Sequence, residues 1–187
     1  TWRTVVGGSR SYVDALVAKL ADVRAANAIT SVRRGVKSVE LTTETGQILE
    51  FDRVVLATHA DDALALLADA SDQERADLAA ITYSANQTVL HTDAKQLPRT
   101  KQARASWNYR ISSCAAAVDS VLVTYWMNKL QRLSAANEYL VTLNPGSEVA
   151  AESVLATMSY AHPVFTHEAV NAAARLRNSG GSRLAFA

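Results

Sequence analysis

The histidines and the single cysteine, which are common ligands of metals, are isolated from one another in this sequence. Histidines stand singly at positions 59, 91, 162 and 167. No two have HExxH spacing, and the single cysteine, Cys114, has no partner, so neither a zinc site nor an internal disulfide is predicted. No GxSxG elbow or Walker loop occurs. The residue types therefore predict no metal ligand, and they leave the catalytic residues unassigned.

Asp61 and Asp62 form a carboxylate pair close to His59. Paired carboxylates can act as general acid and base. Here they open a predicted helix over residues 61–69, where the macrodipole favours negative charge in the first turn. We interpret the pair as helix-stabilising.

Two aromatic clusters, Trp107-Asn-Tyr109 and Tyr125-Trp-Met127, are candidates for lining a ligand cavity. At strand spacing Trp107 and Tyr109 share one face, and so do Tyr125 and Met127. Packing in a core is the default interpretation of such residues, and contact with a ligand is the alternative.

The segment that must position a site is the run from Arg53 to Ala57. It is short and apolar, with adjacent valines, which predicts a strand covered on both faces. The run stops at Thr58 and His59 and leads into a helix. Because open α/β sheets bind ligands at the carboxyl ends of their strands, we expect a ligand edge here.

The glycine pair Gly7-Gly8 lies between a strand-like opening and a predicted helix over residues 9–27. Ser11 and Asp14 of that helix resemble a capping box. The pair is either a tight turn before the helix or backbone that approaches a phosphate or a ring. The helix carries one apolar face at helical spacing: Tyr12, Val13, Leu16, Val17, Leu20 and Val23.

The remaining patterns predict an α+β fold with two regions. Residues 1–81 form an α/β region that contains a β-meander over 29–51. A capping box at Ser71 and Glu74 predicts the start of a helix that ends at residue 80. Residues 82–180 form a mainly antiparallel sheet covered by helices, and residues 181–187 begin a further strand. The pair Arg33-Arg34 is interpreted as a solvated strand end.

Composition excludes several classes of protein. The net charge of +1 gives no reason to expect nucleic acid or an anionic membrane surface as a partner. No apolar run reaches the roughly 20 residues of a membrane helix. One cysteine is compatible with a reducing cytoplasm, where we expect the protein. Apolar, strand-like residues at both ends suggest an excised piece of a larger protein.

The order of these features resembles the flavin-containing amine oxidase superfamily, and most of all its bacterial predicted FAD/NAD-binding oxidoreductases. In the first region the resemblance covers the segments Val5–Ser9, Val32–Val36 and Phe51–Thr58, the last similar to a D-x-V-V-x-A strand. In the second it covers Thr92-Asp93, Ala105–Tyr109, Thr124–Asn128 and Tyr160–Val164. Each motif is weak alone, and their shared order makes the match specific.

The resemblance implies a part of an FAD-dependent oxidoreductase, with residues 1–81 as a partial FAD-binding region and 82–180 as the substrate-binding region. The substrate is expected to be a small apolar or amphipathic molecule, and the oligomeric state is left open. The implied backbone contacts to FAD come from Gly7, Gly8, Val36, Ala57 and Thr58. The implied substrate-side residues are Gln87, Trp107, Tyr109 and Tyr125.

Two departures from the family pattern change the expectation. The fingerprint G-x-G-x-x-G would precede Thr1, and the glycine-rich flavin segment would follow Ala187. Without the cradle that this fingerprint forms at a helix N-terminus, we expect the chain alone not to hold FAD tightly. Gln87 stands where amine-oxidizing members have a lysine near the flavin, so simple amine oxidation is not implied.

Two further hypotheses remain open at this point. One is a flavin-dependent isomerase or mutase without net oxidation. The other is a non-catalytic binding domain, whose signature would be a filled second region with its aromatic residues in the core.

Overall fold

The chain forms two compact units, which are described separately. The computed structural model describes residues 3–111, 122–179, 181 and 183–187. The sheet unit comprises Thr1–Val23 and Ala85–Ala161, and the mixed unit comprises Arg24–Ser84 and His162–Ala187. Cys114 lies outside the described residues. No helix in the described ranges is long and apolar enough to cross a membrane.

The mixed unit contains a meander, a parallel strand pair and three helices. Its strands and helices are β1 (Ile29–Arg34), β2 (Val39–Thr43), β3 (Ile48–Phe51), β4 (Val54–Leu56), α2 (Ala60–Leu66), α3 (Asp72–Ala80), α5 (His167–Ser179) and β10 (Leu184–Phe186). The three-stranded antiparallel sheet β1-β2-β3 confirms the predicted meander. Strand β10 pairs with β4 in parallel, so the carboxyl ends of both strands lie at one edge.

Helices α2, α3 and α5 enclose the core of the mixed unit with these strands. Helix α3 packs on α2 and α5, and α5 also contacts β10. The buried cluster includes Val32, Val39, Leu78, Leu176 and Leu184. The sequence had placed α5 with the antiparallel sheet of the second region.

The start of α3 confirms the predicted capping box. Ser71 Oγ accepts a hydrogen bond from the Glu74 backbone N–H at 3.2 Å, and a Glu74 carboxylate oxygen accepts from the Ser71 N–H at 2.8 Å. Two orphan donors at the helix N-terminus are thereby satisfied.

Arg34 is not a solvated strand end, and the sequence-based interpretation of this residue was wrong. Its guanidinium donates to both carboxylate oxygens of Glu74, at 2.6 and 2.8 Å, and to Asp69 at 2.9 Å. This fork of charge-assisted bonds joins the end of β1 to the first turn of α3. The side-chain hydrogen bond from Arg34 lowers the pKa of Glu74 to about 2.

Strand β4 is open on one side, which corrects the expectation of a strand covered on both faces. Leu56 is buried, whereas Val55 is 62% exposed. The reason is that β4 belongs to a two-stranded sheet, and the described residues place a covering layer on one face only.

The sheet unit is built on a five-stranded sheet in the order β6-β7-β8-β5-β9. Its elements are α1 (Ser9–Val17), β5 (Tyr83–His91), β6 (Trp107–Arg110), β7 (Leu122–Trp126), α4 (Met127–Gln131), β8 (Leu140–Leu143) and β9 (Val154–Pro163), and β5 and β9 each run across the boundary between the units. The pairs β6–β7, β7–β8 and β8–β5 are antiparallel, as predicted. The α+β fold class is therefore confirmed.

Helix α1 is shorter than predicted and buries none of its residues. It ends at Val17 rather than at Asn27. Ser11 makes no capping box, since its hydroxyl donates to the Gly8 carbonyl at 2.8 Å and Asp14 pairs with Arg10. The apolar face is real, but its six residues are 41–62% exposed. Packing supplies most helical stability in proteins, and this face lacks a packing partner among the described residues.

Candidate functional site

The carboxyl edge of the parallel strand pair in the mixed unit forms the first candidate site. Thr58 follows β4, and Phe186 and Ala187 end the β10 side. A cavity of about 180 Å³ lies against these residues. Its remaining wall is mainly apolar, from α2, α3 and α5, with Tyr83 and Arg177 as the polar contributions. The ligand edge predicted from the run 53–57 therefore coincides with a cavity.

Tyr83 fixes the geometry where β4 gives way to α2. Its ring stacks on His59, with centroids 4.4 Å apart and an angle of 18° between the planes. Its hydroxyl oxygen accepts a hydrogen bond from the Ala60 backbone N–H at 2.8 Å. The aromatic side chain thus satisfies an orphan donor in the first turn of α2 and lines the cavity at the same time.

His59, Asp61 and Asp62 approach one another closely enough to share an ion, with ligand atoms within 4.8 Å of one another. All three residues are exposed, and both carboxylates lie in the first turn of α2. Stabilisation of the helix start accounts for their positions, as the sequence predicts.

Val36 and the pair Ala57-Thr58 occupy different parts of the mixed unit. Val36 is 90% exposed in the hairpin between β1 and β2. The neighbouring Lys37 carbonyl accepts a hydrogen bond from Arg183, the residue before β10. Ala57 and Thr58, by contrast, follow β4 at its carboxyl end.

Gly7 and Gly8 form a tight turn in the sheet unit. The Gly8 N–H donates to the Val5 carbonyl at 3.1 Å, and Gly7 has φ 85° and Gly8 φ 77°. An added Cβ would meet its nearest neighbours at 3.6 and 3.7 Å, which is ordinary contact. The glycines are therefore required by backbone conformation. This is one of the two interpretations that the sequence leaves open; contact with a flavin stays a prediction.

One face of the five-stranded sheet is aromatic and open, and it forms the second candidate site. Trp107 pairs with Tyr125 and Tyr109 with Val123 across β6 and β7, so the three aromatic residues share a face. Trp107 is 43% and Tyr109 64% exposed. The default interpretation, packing in a core, is wrong for these two residues within the described chain.

Gln87 lies on the opposite face of that sheet. Its backbone pairs with Asn144, and it has the parity of Val89 and His91 along β5. The register places Val89 opposite Thr142 of β8, whereas Tyr125 lies opposite Val141. Gln87 and the aromatic residues therefore do not meet on one surface of the sheet.

The face that carries His91 is closed by a chain of neutral polar groups. His91 Nε2 lies 2.8 Å from Thr142 Oγ1, which lies 2.9 Å from Thr124 Oγ1. His91 Nδ1 accepts from the Asp93 N–H at 3.2 Å, so Nε2 carries the proton and donates to Thr142. Burial lowers the pKa of His91, with a smaller opposing effect from the Asp93 carboxylate. The histidine is a structural residue that is held neutral.

Sequence reasoning missed the contacts of Tyr83 and Arg34, which join distant segments of the mixed unit. Tyr83 precedes the strand predicted at residues 87–92, and its partners are Ala60 and His59, more than twenty residues earlier. Arg34 bonds to residues 35 and 40 positions away. The one available signal was the capping-box Glu74, a carboxylate already held near a helix start.

Comparison with known proteins gives a match at the level of the fold. No family model matches the sequence, and no curated protein matches it. A crystal structure of a fatty acid isomerase from P. acnes that produces CLA aligns with a TM-score of 0.61 and 14% identity, over 96% of this chain and 46% of that one. Putrescine oxidase bound to putrescine aligns with a TM-score of 0.62 and 10% identity, over 97% and 47%.

A third structure, from Exiguobacterium sp. 255-15, carries the name of a protoporphyrinogen oxidase and aligns with a TM-score of 0.58 and 15% identity, over 96% of this chain and 46% of that one. All three are members of the flavin amine oxidase superfamily. The chain spans a little under half the length of these neighbours. The chain therefore shares the fold of the aligned part of these neighbours.

Proposed function

We propose that this chain is part of an FAD-dependent oxidoreductase of amine-oxidase-like fold, and that it carries the substrate-binding region. The observation that supports this most strongly is the fold match over 96–97% of the chain to superfamily members. In such an enzyme the flavin accepts a hydride, and the protein binds and orients the substrate.

The chain offers surfaces that fit parts of an extended cofactor. Ala57 and Thr58 are exposed at the carboxyl edge, and Val36 is exposed in its hairpin. Such positions suit contacts to FAD. The glycines at 7 and 8 are proposed as additional contacts on the sheet unit.

The aromatic sheet face is the proposed substrate surface. Trp107, Tyr109 and Tyr125 present a partly exposed apolar wall of the kind that lines small-molecule sites. A non-catalytic binding domain with a filled second region would bury these side chains, so their exposure disfavours that hypothesis. Gln87, on the opposite face, is a weaker candidate for direct contact.

Loss of the flavin from the isolated chain is the first test. The sequence contains no G-x-G-x-x-G, and so it lacks the glycine loop that cradles a pyrophosphate at a helix N-terminus. We expect the purified 187-residue chain to carry no stoichiometric flavin by absorbance, and the protein expressed from the complete gene to carry one FAD per chain. A flavin-free complete protein would contradict the proposal.

A second candidate function is isomerisation without net oxidation. It is favoured by one specific observation, that a structural neighbour is named as a fatty acid isomerase. Anaerobic mixing of the complete protein with candidate substrates separates the two functions. An oxidoreductase bleaches its flavin in step with product, whereas an isomerase forms product with no net bleaching.

A further inference from the structure

The sheet unit contains a large cleft between its opening segment and α4. The cavity has a volume of about 850 Å³. Thr4 Oγ1 donates to the Leu130 carbonyl at 3.1 Å and so fixes the opening segment against the helix. The lining of the cleft includes Arg3, Val6, Trp107, Lys129, Leu130 and Arg132.

The charges in this cleft are of one sign. Arg3, Lys129 and Arg132 contribute three cations, and the lining includes no acidic residue. Lys129 Nζ donates to the Arg104 carbonyl at 2.6 Å, which orients the ammonium group without neutralising it. Three cations that line one cleft raise the local potential for an anion.

Four arginines outside the cleft differ from Arg3 and Arg132, because each of the four pairs with a carboxylate. Salt bridges join a carboxylate to Arg10, Arg34, Arg110 and Arg175. The C-terminal end of α4 accounts for part of the pattern, because a helix C-terminus attracts cations such as Lys129 and Arg132. It does not account for Arg3, which comes from a separate segment of the chain.

The walls of the cleft are suited to an apolar group next to these charges. Val6 is 95% exposed and Trp107 is 43% exposed, and Leu130 of α4 also lines the cleft. A ring face with neighbouring aliphatic groups gains free energy by covering an apolar body, while the cations bind a charged head.

We propose that this cleft binds an anionic amphiphile, a small molecule with a carboxylate or phosphate head and an apolar body. The head lies against Arg3, Lys129 and Arg132, and the body lies against Trp107 and Val6. The inference deepens the proposed function, since Trp107 also belongs to the proposed substrate surface. The test concerns binding of the amphiphile to the flavin-free chain. If the amphiphile does not bind, the proposal that the complete protein carries FAD still stands. If the complete protein carries no FAD, the proposal that this cleft binds an amphiphile still stands.

The test is a titration of the 187-residue chain with octanoate, octyl phosphate and the neutral octanamide, followed by NMR of the Trp107 indole N–H. We expect saturable shifts with one or both anions and binding of octanamide at least about tenfold weaker. Octanoate and octyl phosphate together distinguish a carboxylate head from a phosphate head.

A charge variant and a matched control make the test specific. Arg3→Gln with Arg132→Asn removes two cleft charges, and asparagine tolerates the φ of 54° at position 132. We expect affinity for the anion to fall at least about tenfold. Arg99→Gln with Lys101→Gln removes the same charge outside the cleft and should leave affinity within about twofold.

Three outcomes would overturn the proposal. They are the absence of saturable binding of either anion, equal binding of octanamide, or an equal loss of affinity in the control variant. Circular dichroism of both double variants checks that each is folded, and the single variant Arg132→Asn serves if the double one is not.

Discussion

The two units stabilise most of their buried polar groups by different means. The mixed unit uses ion pairs at the junctions of its elements, between Arg34 and Glu74 and between Arg175 and Asp77. The sheet unit uses neutral hydrogen bonds that run across its strands, from His91 through Thr142 to Thr124. The ion pairs of the mixed unit join segments that are distant in sequence. The neutral hydrogen bonds of the sheet unit close one face of its sheet, and the other face stays open.

The largest expected effect concerns the ion pair of the mixed unit. Arg34→Met leaves Glu74, whose side chain is 6% exposed, without its cation. Breaking a buried pair costs about 3–5 kcal/mol, and we expect about 3 kcal/mol because Arg34 is partly exposed. The measurement is the free energy of unfolding in urea. The control is Arg33→Met, an exposed neighbour on β1, which should change that free energy by less than about 0.5 kcal/mol. An equal loss of unfolding free energy in Arg34→Met and Arg33→Met would contradict the prediction that the ion pair stabilises the mixed unit.

The series of neutral hydrogen bonds in the sheet unit predicts that two buried threonines differ in their contribution to stability. Thr142→Val removes the hydroxyl that bonds both His91 and Thr124, and we expect a loss of about 2 kcal/mol. Thr88 Oγ1 is buried with no hydrogen-bond partner among the described residues, so Thr88→Val should be neutral or stabilising. Urea denaturation of both variants checks the pair. If Thr88→Val and Thr142→Val lose the same free energy of unfolding, side-chain volume and not hydrogen bonding determines the effect of both substitutions.

The two units should also lose stability in different ranges of pH. Burial lowers the pKa of His91 from its usual value near 6.5, so the neutral form contributes stability that is complete above pH 6.5 and is lost as pH falls below it. One such group contributes at most about 1.4 kcal/mol per pH unit. In the mixed unit, Arg34 lowers the pKa of Glu74 to about 2, so that contribution is complete above pH 4.5 and lost between pH 4.5 and 2.

Hydrogen exchange of amides in β5 and in α3, followed from pH 7 downwards, measures both ranges separately. His91→Gln should flatten the upper range in β5 and leave α3 unchanged, and Glu74→Gln should do the reverse. A loss of protection in α3 between pH 6.5 and 5 that His91→Gln abolishes would mean that the units do not respond independently.

The smallest expected effect is on the open aromatic face. Tyr109→Ser should change the free energy of unfolding by less than about 0.5 kcal/mol, because the side chain is 64% exposed. A loss above about 1.5 kcal/mol would assign Tyr109 to a core and weaken the proposal of a substrate surface.

Local signals in the sequence predicted the elements well, and they predicted contacts poorly. The capping box at Ser71 and the alternating meander were found because each pattern lies within a few residues. The sequence predicts that helix α1 continues to Asn27 because the apolar spacing continues to Val23. No packing contact among the described residues stabilises a helix after Val17. The parity of Gln87 relative to Trp107 depends on the register of β5 against its neighbours, which a single sequence does not contain.

Val55 bears on how the isolated chain behaves in solution. Strands β4 and β10 form a sheet of two, and each has an outer edge that the described residues leave unpaired. Free backbone donors and acceptors beside an exposed valine act as a template for another strand. We therefore expect the chain on its own to self-associate through this edge as its concentration rises. In light scattering at equal concentration, the Val55→Lys variant should have a smaller mean particle size than the unchanged chain.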